Sequence, residues 1–207
     1  MDTKLWRLRT VNMPSRFRPL WIILVILVIL LLWGIRTYNG FVKKQEAMTT
    51  AWGQVENVYQ RRADLVPNLV ALVKNYTEYE QGTLIAVTEA RAKATNATVN
   101  TENFDENEFT NFEAAQNELG NSLNRLIVSV ENYPDLKANE EYLTLQAQLA
   151  GCENRIQTER ERFNETAKAY NQNVRKFPSS LIAKMFGFEK RPYFEADAGA
   201  EKAPSTF

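Results

Sequence analysis

The stretch LWIILVILVILLLWGI, Leu20 to Ile35, carries no charge over 16 residues and constrains everything that follows it. As a helix it rises ~24 Å, short of the ~30 Å hydrocarbon thickness of a bilayer. Helix can continue through Arg36, because a long basic side chain snorkels toward the interface, so the predicted span is residues 20–37. Leu20 and Ile35 mark its apolar ends, and Trp21 and Trp33 bracket it as interfacial anchors. A cleaved signal peptide is the rival reading. The run is long for that role, and the WGIRTYNG that follows has no small-x-small cleavage site. A single-pass anchor in the lipid bilayer is therefore expected.

Charge is unevenly placed around this run. Residues 1–19, a basic leader, hold five Lys/Arg against one Asp, whereas residues 36–207 hold 20 Lys/Arg against 24 Asp/Glu. A mildly acidic body is not the basic face of a nucleic-acid binder, so no nucleic-acid partner is expected. The leader carries two more basic residues than the Arg36, Lys43 and Lys44 that follow the run. That bias points to a cytoplasmic N-terminus and a body on the opposite side.

Two scarcities restrict the chemistry. The chain has no histidine and one cysteine, Cys152. Imidazole bases, Ser–His and Cys–His pairs and His metal ligands are excluded, as are an intrachain disulfide and a Cys-rich zinc site. Cys152 shares a helical spacing with Leu149 and Ile156, the pattern of a small buried apolar residue. No catalytic residue, cofactor or metal is expected. Acidic pairs such as Glu140/Glu141 are what solvated helix starts look like.

The body, residues 38–188, is expected to be all-α: an elongated antiparallel bundle of three long helices plus a short C-terminal helix, followed by an extended tail, 189–207. Glycine is scarce, and no alternating β pattern or internal repeat appears. The first helix is predicted over Tyr38–Ala94, with Met48, Ala51, Val55, Val58, Arg62, Leu65, Leu69, Leu72, Tyr76 and Tyr79 stepping by threes and fours. Pro67 falls toward its polar side, where it should bend the helix and leave the Ala63 carbonyl to water. TNATVNTENFDEN, 95–107, reads as a polar loop or helix cap, since it lacks the glycine and ligand spacing of a calcium loop. The second helix spans Glu108–Tyr133 and the third Ala138–Lys176. Leu181, Ile182, Met185 and Phe186 then form a short apolar face, closed by Gly187, that suits docking on protein better than a membrane surface. Tyr193 and Phe194 are candidates for holding the tail.

Arg62 sits at the centre of the first helix's apolar face. Helix lengths place the end of the second helix opposite Leu69, leaving 41–62 without intrachain cover. A buried charge needs a partner. Glu153 or Glu159 can supply it if the first helix is broken, a neighbouring subunit if it is not. Glu80 lies on the same face and also needs a partner, with Arg160 the candidate. Both charges read as devices that fix packing or assembly rather than as a ligand site.

The segments together resemble the LemA family. The resemblance covers most of the chain. YNGFVKKQEAMTTAWGQVENVYQRRADLVPNLVALVKNYTEYEQGTL carries an RRxDLxPNL core at Arg61, Arg62, Asp64, Leu65, Pro67, Asn68 and Leu69, with Glu80 shortly after. The second block runs from Glu153 through Arg160, Asn164, Tyr170, Asn171, Phe177 and Pro178 to Phe194, with a YNxxVxxFP motif. The resemblance implies one N-terminal membrane helix and an elongated helical body in a bacterial cytoplasmic membrane; it does not imply an enzyme. A relative concerned with magnetosome formation points toward membrane organisation. Family descriptions often place the body in the cytoplasm, opposite to the charge bias.

Three functions compete. The first is a self-assembling membrane scaffold that organises an envelope region or complex. The second is a monomeric adaptor presenting Gln157, Asn164 and Asn171 to a membrane protein partner such as a protease or kinase. The third, an enzyme, has no supporting motif.

Overall fold

A computed structural model describes residues 18–76 and 80–195. The described chain is all-α, with six helices and no strand among those residues. The first, α1, is one 59-residue helix, Arg18–Tyr76. The apolar run and the first body helix are therefore a single element of ~88 Å. Its N-terminal part is long and apolar enough to cross a membrane. Every side chain from Leu20 to Leu32 is exposed there, the pattern of a helix that is apolar all round.

The first body helix does not run on to Ala94 as expected. Helix α1 ends at Tyr76, and α2 occupies Gln81–Asn96; Tyr79 lies outside the described residues. The physical reason is cover. Leu84, Val87, Ala90 and Ala94 recur at helical spacing and share a core with Val66, Leu69 and Val73. A straight helix would have carried these two apolar faces away from each other. The seam's threes and fours continue across the break, so its periodicity gave no sign of it.

The later helices have legible starts. In α3, Glu106–Val130, the Asp105 carboxylate accepts from the Asn107 and Glu108 amides, so the acidic loop is a helix cap. A four-residue turn, α4 (Pro134–Lys137), opens on proline. Asn139 caps α5, Glu140–Arg175, by accepting from the Tyr142 amide, and Glu140 and Glu141 fill its first turn. Helix α6, Ser179–Phe186, follows the cis Phe177–Pro178 bond and closes on Gly187, whose φ of 73° suits glycine.

Helix α1 packs along α5, and α2 along α3. Tyr76, at the end of α1, accepts from Asn139 at the start of α5, while Phe41 meets the ring of Tyr170 near the end of α5. The stretch from Phe41 to Arg62 is therefore covered within the chain: Phe41, Met48, Trp52, Val55 and Tyr59 are all buried. That overturns the expectation of an uncovered lower helix, which assumed an unbroken first helix. The buried face is also rotated by one residue. Trp52, Tyr59 and Val66 are inside, while Ala51, Val58 and Leu65 are only partly so. Cys152 is buried and free, as its spacing predicts.

Candidate functional site

Arg62 leaves α1 at the boundary between two parts of the core and is 3% exposed. Its Nη1 donates to Glu153 Oε1 at 2.9 Å. Its Nη2 donates to the Gln116 backbone oxygen at 2.8 Å and to Gln116 Oε1 at 2.9 Å. Gln116 in turn donates to the Ala94 carbonyl at 3.1 Å, one of the orphan carbonyls at the end of α2. The guanidinium lies 5.1 Å from the Tyr59 ring centre. One arginine thus ties α1 to α3 and α5 and, through Gln116, to α2. Glu153 is half exposed, at 53% of its side chain, so most of the desolvation falls on the arginine. Of the two expected carboxylates, Glu153 takes Arg62, and Glu159 pairs with Arg162 at 2.7 Å.

Pro67 sets up a second tie. It has no N–H to give Ala63, whose residue is buried. The Ala63 carbonyl accepts instead from Arg91 Nε on α2, at 2.8 Å. A side chain of the neighbouring helix, rather than water, takes the bond that proline releases.

Glu80 and Arg160 do not meet. Glu80 accepts from Tyr133 Oη at 3.3 Å and from Thr83 Oγ1 at 3.1 Å, beside the end of α3. Arg160 donates to Glu113 at 2.6 Å, near the start of α3, and lies 4.7 Å over the Phe194 ring. The two lie at different levels of the body: Glu80 follows the end of α1, beside the start of α5, whereas Arg160 lies well along α5, near Tyr59.

Asn164 and Asn171 belong to a latch on the chain's own tail. Asn171 Nδ2 donates to the Arg191 carbonyl and its Oδ1 accepts from the Arg191 amide, both at 2.8 Å. Asn164 makes the same reciprocal pair with Phe194, at 2.9 Å each. The spacing fits. Seven helical residues rise ~10.5 Å, and three extended residues span ~10 Å. The polar stripe expected to face a partner is, at these two positions, occupied by residues 191–194. Phe194 is buried, stacked on Trp52 at 5.9 Å, while Tyr193 is exposed and only Phe194 of the pair serves as an anchor.

Burial pushes the Tyr59 phenol above its ordinary value, with Arg160 and Arg62 pulling part of that back. Burial does the same to Tyr170, opposed by Arg191. An open cleft of about 680 Å³ beside the tail is lined by Asp105, Glu106, Glu113, Glu189 and Arg191 among others. Its acids are largely the α3 start and its flank. Among the described residues, no group of three or more His, Cys, Asp or Glu is placed to hold a metal ion.

The LemA family profile matches residues 51–206. The chain belongs to the LemA family. Similar proteins include magnetosome protein MamQ of Magnetospirillum gryphiswaldense, 29% identical over 180 residues, covering 78% of this chain and 66% of that protein. Magnetosome protein MamQ 2 of Paramagnetospirillum magneticum is 27% identical over 175 residues, 76% and 64% of the two chains. Protein LemA of Metamycoplasma hominis is 22% identical over 158 residues, 76% and 68%. The chain thus spans just under two thirds of the MamQ proteins it matches.

The LemA motif residues divide into two groups. Arg62 is buried and organises the interior, whereas Arg61, Asp64, Pro67 and Asn68 are exposed on α1, with Gln60 donating to Asp64 at 2.7 Å; Pro67 reaches the interior only through the Ala63 carbonyl that it leaves to Arg91. From the second block, Glu153, Arg160, Asn164, Tyr170 and Asn171 line α5 in the contacts above. Phe177 is exposed, and Pro178 directly precedes α6. Sequence reasoning missed Trp52, Arg91, Glu113 and Gln116. Gln116 carried a usable signal: a polar residue on the apolar face between Phe112 and Leu119, the same anomaly that marks Arg62.

Proposed function

We propose that the chain is a non-enzymatic helical scaffold, anchored in a bacterial cytoplasmic membrane, that assembles with itself and organises an envelope region or complex. The observation that carries this reading is the continuity of α1 from the apolar run to Tyr76, which couples the body to its anchor through unbroken helix. Membership of the LemA family and the similarity to two magnetosome proteins support a membrane role without catalysis. The charge bias favours a body on the periplasmic or outer side, against the family's usual description.

A monomeric adaptor is the second reading, and the Arg62 cluster favours it: Arg62 is paired within the chain, so the fold does not require a neighbour there. Because the tail occupies Asn164 and Asn171, the adaptor's contact moves to another face. The exposed Arg61, Asp64 and Asn68 stripe on α1 is the natural one.

Light scattering of the full-length protein in mild detergent separates the two. The scaffold gives a uniform oligomer. A clean monomer moves the conclusion to the adaptor, and turnover on broad peptidase or phosphatase panels overturns both.

A further inference from the structure

Helix α6 has two apolar faces and docks only one of them. Ile182 and Ala183 point inward, in a cluster with Phe41 and Tyr170. Leu181 at 58% and Met185 at 70% face outward, next to Phe177 at 75%, and Phe186, though its ring packs on Tyr38, is still 55% exposed. Four large exposed apolar side chains within ten residues form a patch of the kind that marks an interaction surface.

The level of the patch identifies its occupant. Ile182 Cδ1 lies 4.0 Å from the position a Cβ would take on Gly34, which is inside the apolar run. The Phe186 ring meets Tyr38 edge-on at 4.9 Å. Trp33, Gly34, Thr37 and Gly40, the α1 positions facing this side, are partly buried, in contrast to the exposed residues before them. Helix α6 therefore stands beside the last turn of the run. The run falls ~6 Å short of the hydrocarbon thickness, about four helical residues. Four residues beyond Ile35 is Asn39, the level at which α6 packs. The charges agree as well: Arg175, Lys176, Lys184 and Lys190 flank or lie within α6, against Glu189 alone in that segment, a balance suited to anionic headgroups.

We infer that α6 is a membrane-interface collar: its outer face, with Phe177, inserts into the lipid surface next to the point where α1 leaves the bilayer. The inner face holds the collar to the bundle, and the outer face fixes the height and tilt of the body over the membrane. The inference rests on α1 spanning the bilayer, so its test measures both.

Full-length chain in a Cys152→Ala background receives single cysteines by Leu27→Cys, Leu181→Cys, Met185→Cys and, at the distal end, Val128→Cys. Each is nitroxide-labelled and reconstituted into vesicles of phosphatidylcholine, with or without phosphatidylglycerol. Collision with dissolved oxygen is compared with collision with a water-soluble nickel chelate. Labels at 27, 181 and 185 are expected to favour oxygen and the label at 128 to favour nickel, in both lipid mixtures. Nickel-favouring labels at 181 and 185, with oxygen still favoured at 27, overturn the collar while leaving the span intact. Labels at 181 and 185 shielded from both reagents mean that protein covers the face, and also overturn it. A nickel-favouring label at 27 removes the span first and the collar with it.

Discussion

The distal part of the body and the part proximal to the apolar run solve the same packing problem with different materials. Among the described residues, the distal core, from Val66 to Leu149, has sixteen that are buried, of which only Tyr142 is aromatic. The proximal core has twelve, and seven are aromatic: Trp52, Tyr59, Phe104, Phe109, Phe112, Phe163 and Phe194. Distally, α1, α2, α3 and α5 all supply walls, and aliphatic side chains interdigitate between them. Proximally, α2 has ended and α3 has only begun, so the turn carrying Phe104 and the tail carrying Phe194 replace helix. Rings fill the wider gaps with few side chains. Trp52 alone meets Phe104, Phe109, Phe112, Phe163 and Phe194 with ring centres 5.0–5.9 Å apart. Extended backbone brought against a helix needs hydrogen-bond partners, and Asn164 and Asn171 provide them. Arg62 stands where one solution gives way to the other.

Removing the central ring breaks the comparison most severely. Trp52→Ala should destabilise the fold by about 3–5 kcal/mol, as for large aromatic truncations in cores. Amide exchange should rise first at residues 41–59 and 191–194, with protection best retained around Leu69 and Leu126. Uniform loss of protection in both cores would show that they do not differ in local stability.

Arg62→Ala attacks the boundary instead. It leaves the Gln116 side chain buried with its oxygen unpaired, while Glu153 can turn to water. The expected cost is about 2–3 kcal/mol, with helix content preserved. Denaturant melts should then show the two cores separating, read as a broadened transition. Unchanged melting would remove Arg62 from the set of residues that hold the fold together.

The Pro67–Arg91 tie offers a sharper test on the distal side. Arg91→Ala should cost about 1–2 kcal/mol, because the Ala63 carbonyl loses its donor. In that background Pro67→Ala restores an N–H four residues on, so the double variant should recover most of the loss. Additive behaviour in the cycle would mean that the contact does not carry the effect.

Which parts of this were legible follows from what periodicity records. The apolar run, the helical body and the buried Cys152 are local patterns, and spacing alone revealed them. Arg62 was visible as an anomaly because a charge on an apolar face needs a partner wherever the fold places it. Its partner was legible only as a choice between Glu153, Glu159 and another subunit, since that depended on the break after Tyr76. The break itself has no proline, and the seam continues in phase across it. The tail latch was half visible: Phe194 read as an anchor, but Asn164 and Asn171 look the same whether they face water, a partner or the chain's own backbone.

The smallest expected effect tests the proximal core through its proton balance. Burial raises the Tyr59 pKa above the 10.0 of an unperturbed phenol. The folded state therefore holds the proton more tightly than the unfolded chain. That contribution is fully present below about pH 10 and is lost as pH rises through the folded value. Tyr59→Phe removes the titration while keeping most of the ring's packing on Phe112, 5.3 Å away. Stability at neutral pH should change by about 1 kcal/mol or less, but the fall in stability above pH 10 should become shallower. Tyr142 of the distal core is raised by burial as well, with Glu131 adding to the shift, so Tyr142→Phe should flatten the same limb. Amide exchange above pH 10 assigns the two. The Tyr59 variant should protect residues 48–59, and the Tyr142 variant residues 119–149. If either variant protects both regions equally, Arg62 couples the two cores into one unfolding unit, and the difference between them is one of composition rather than of stability.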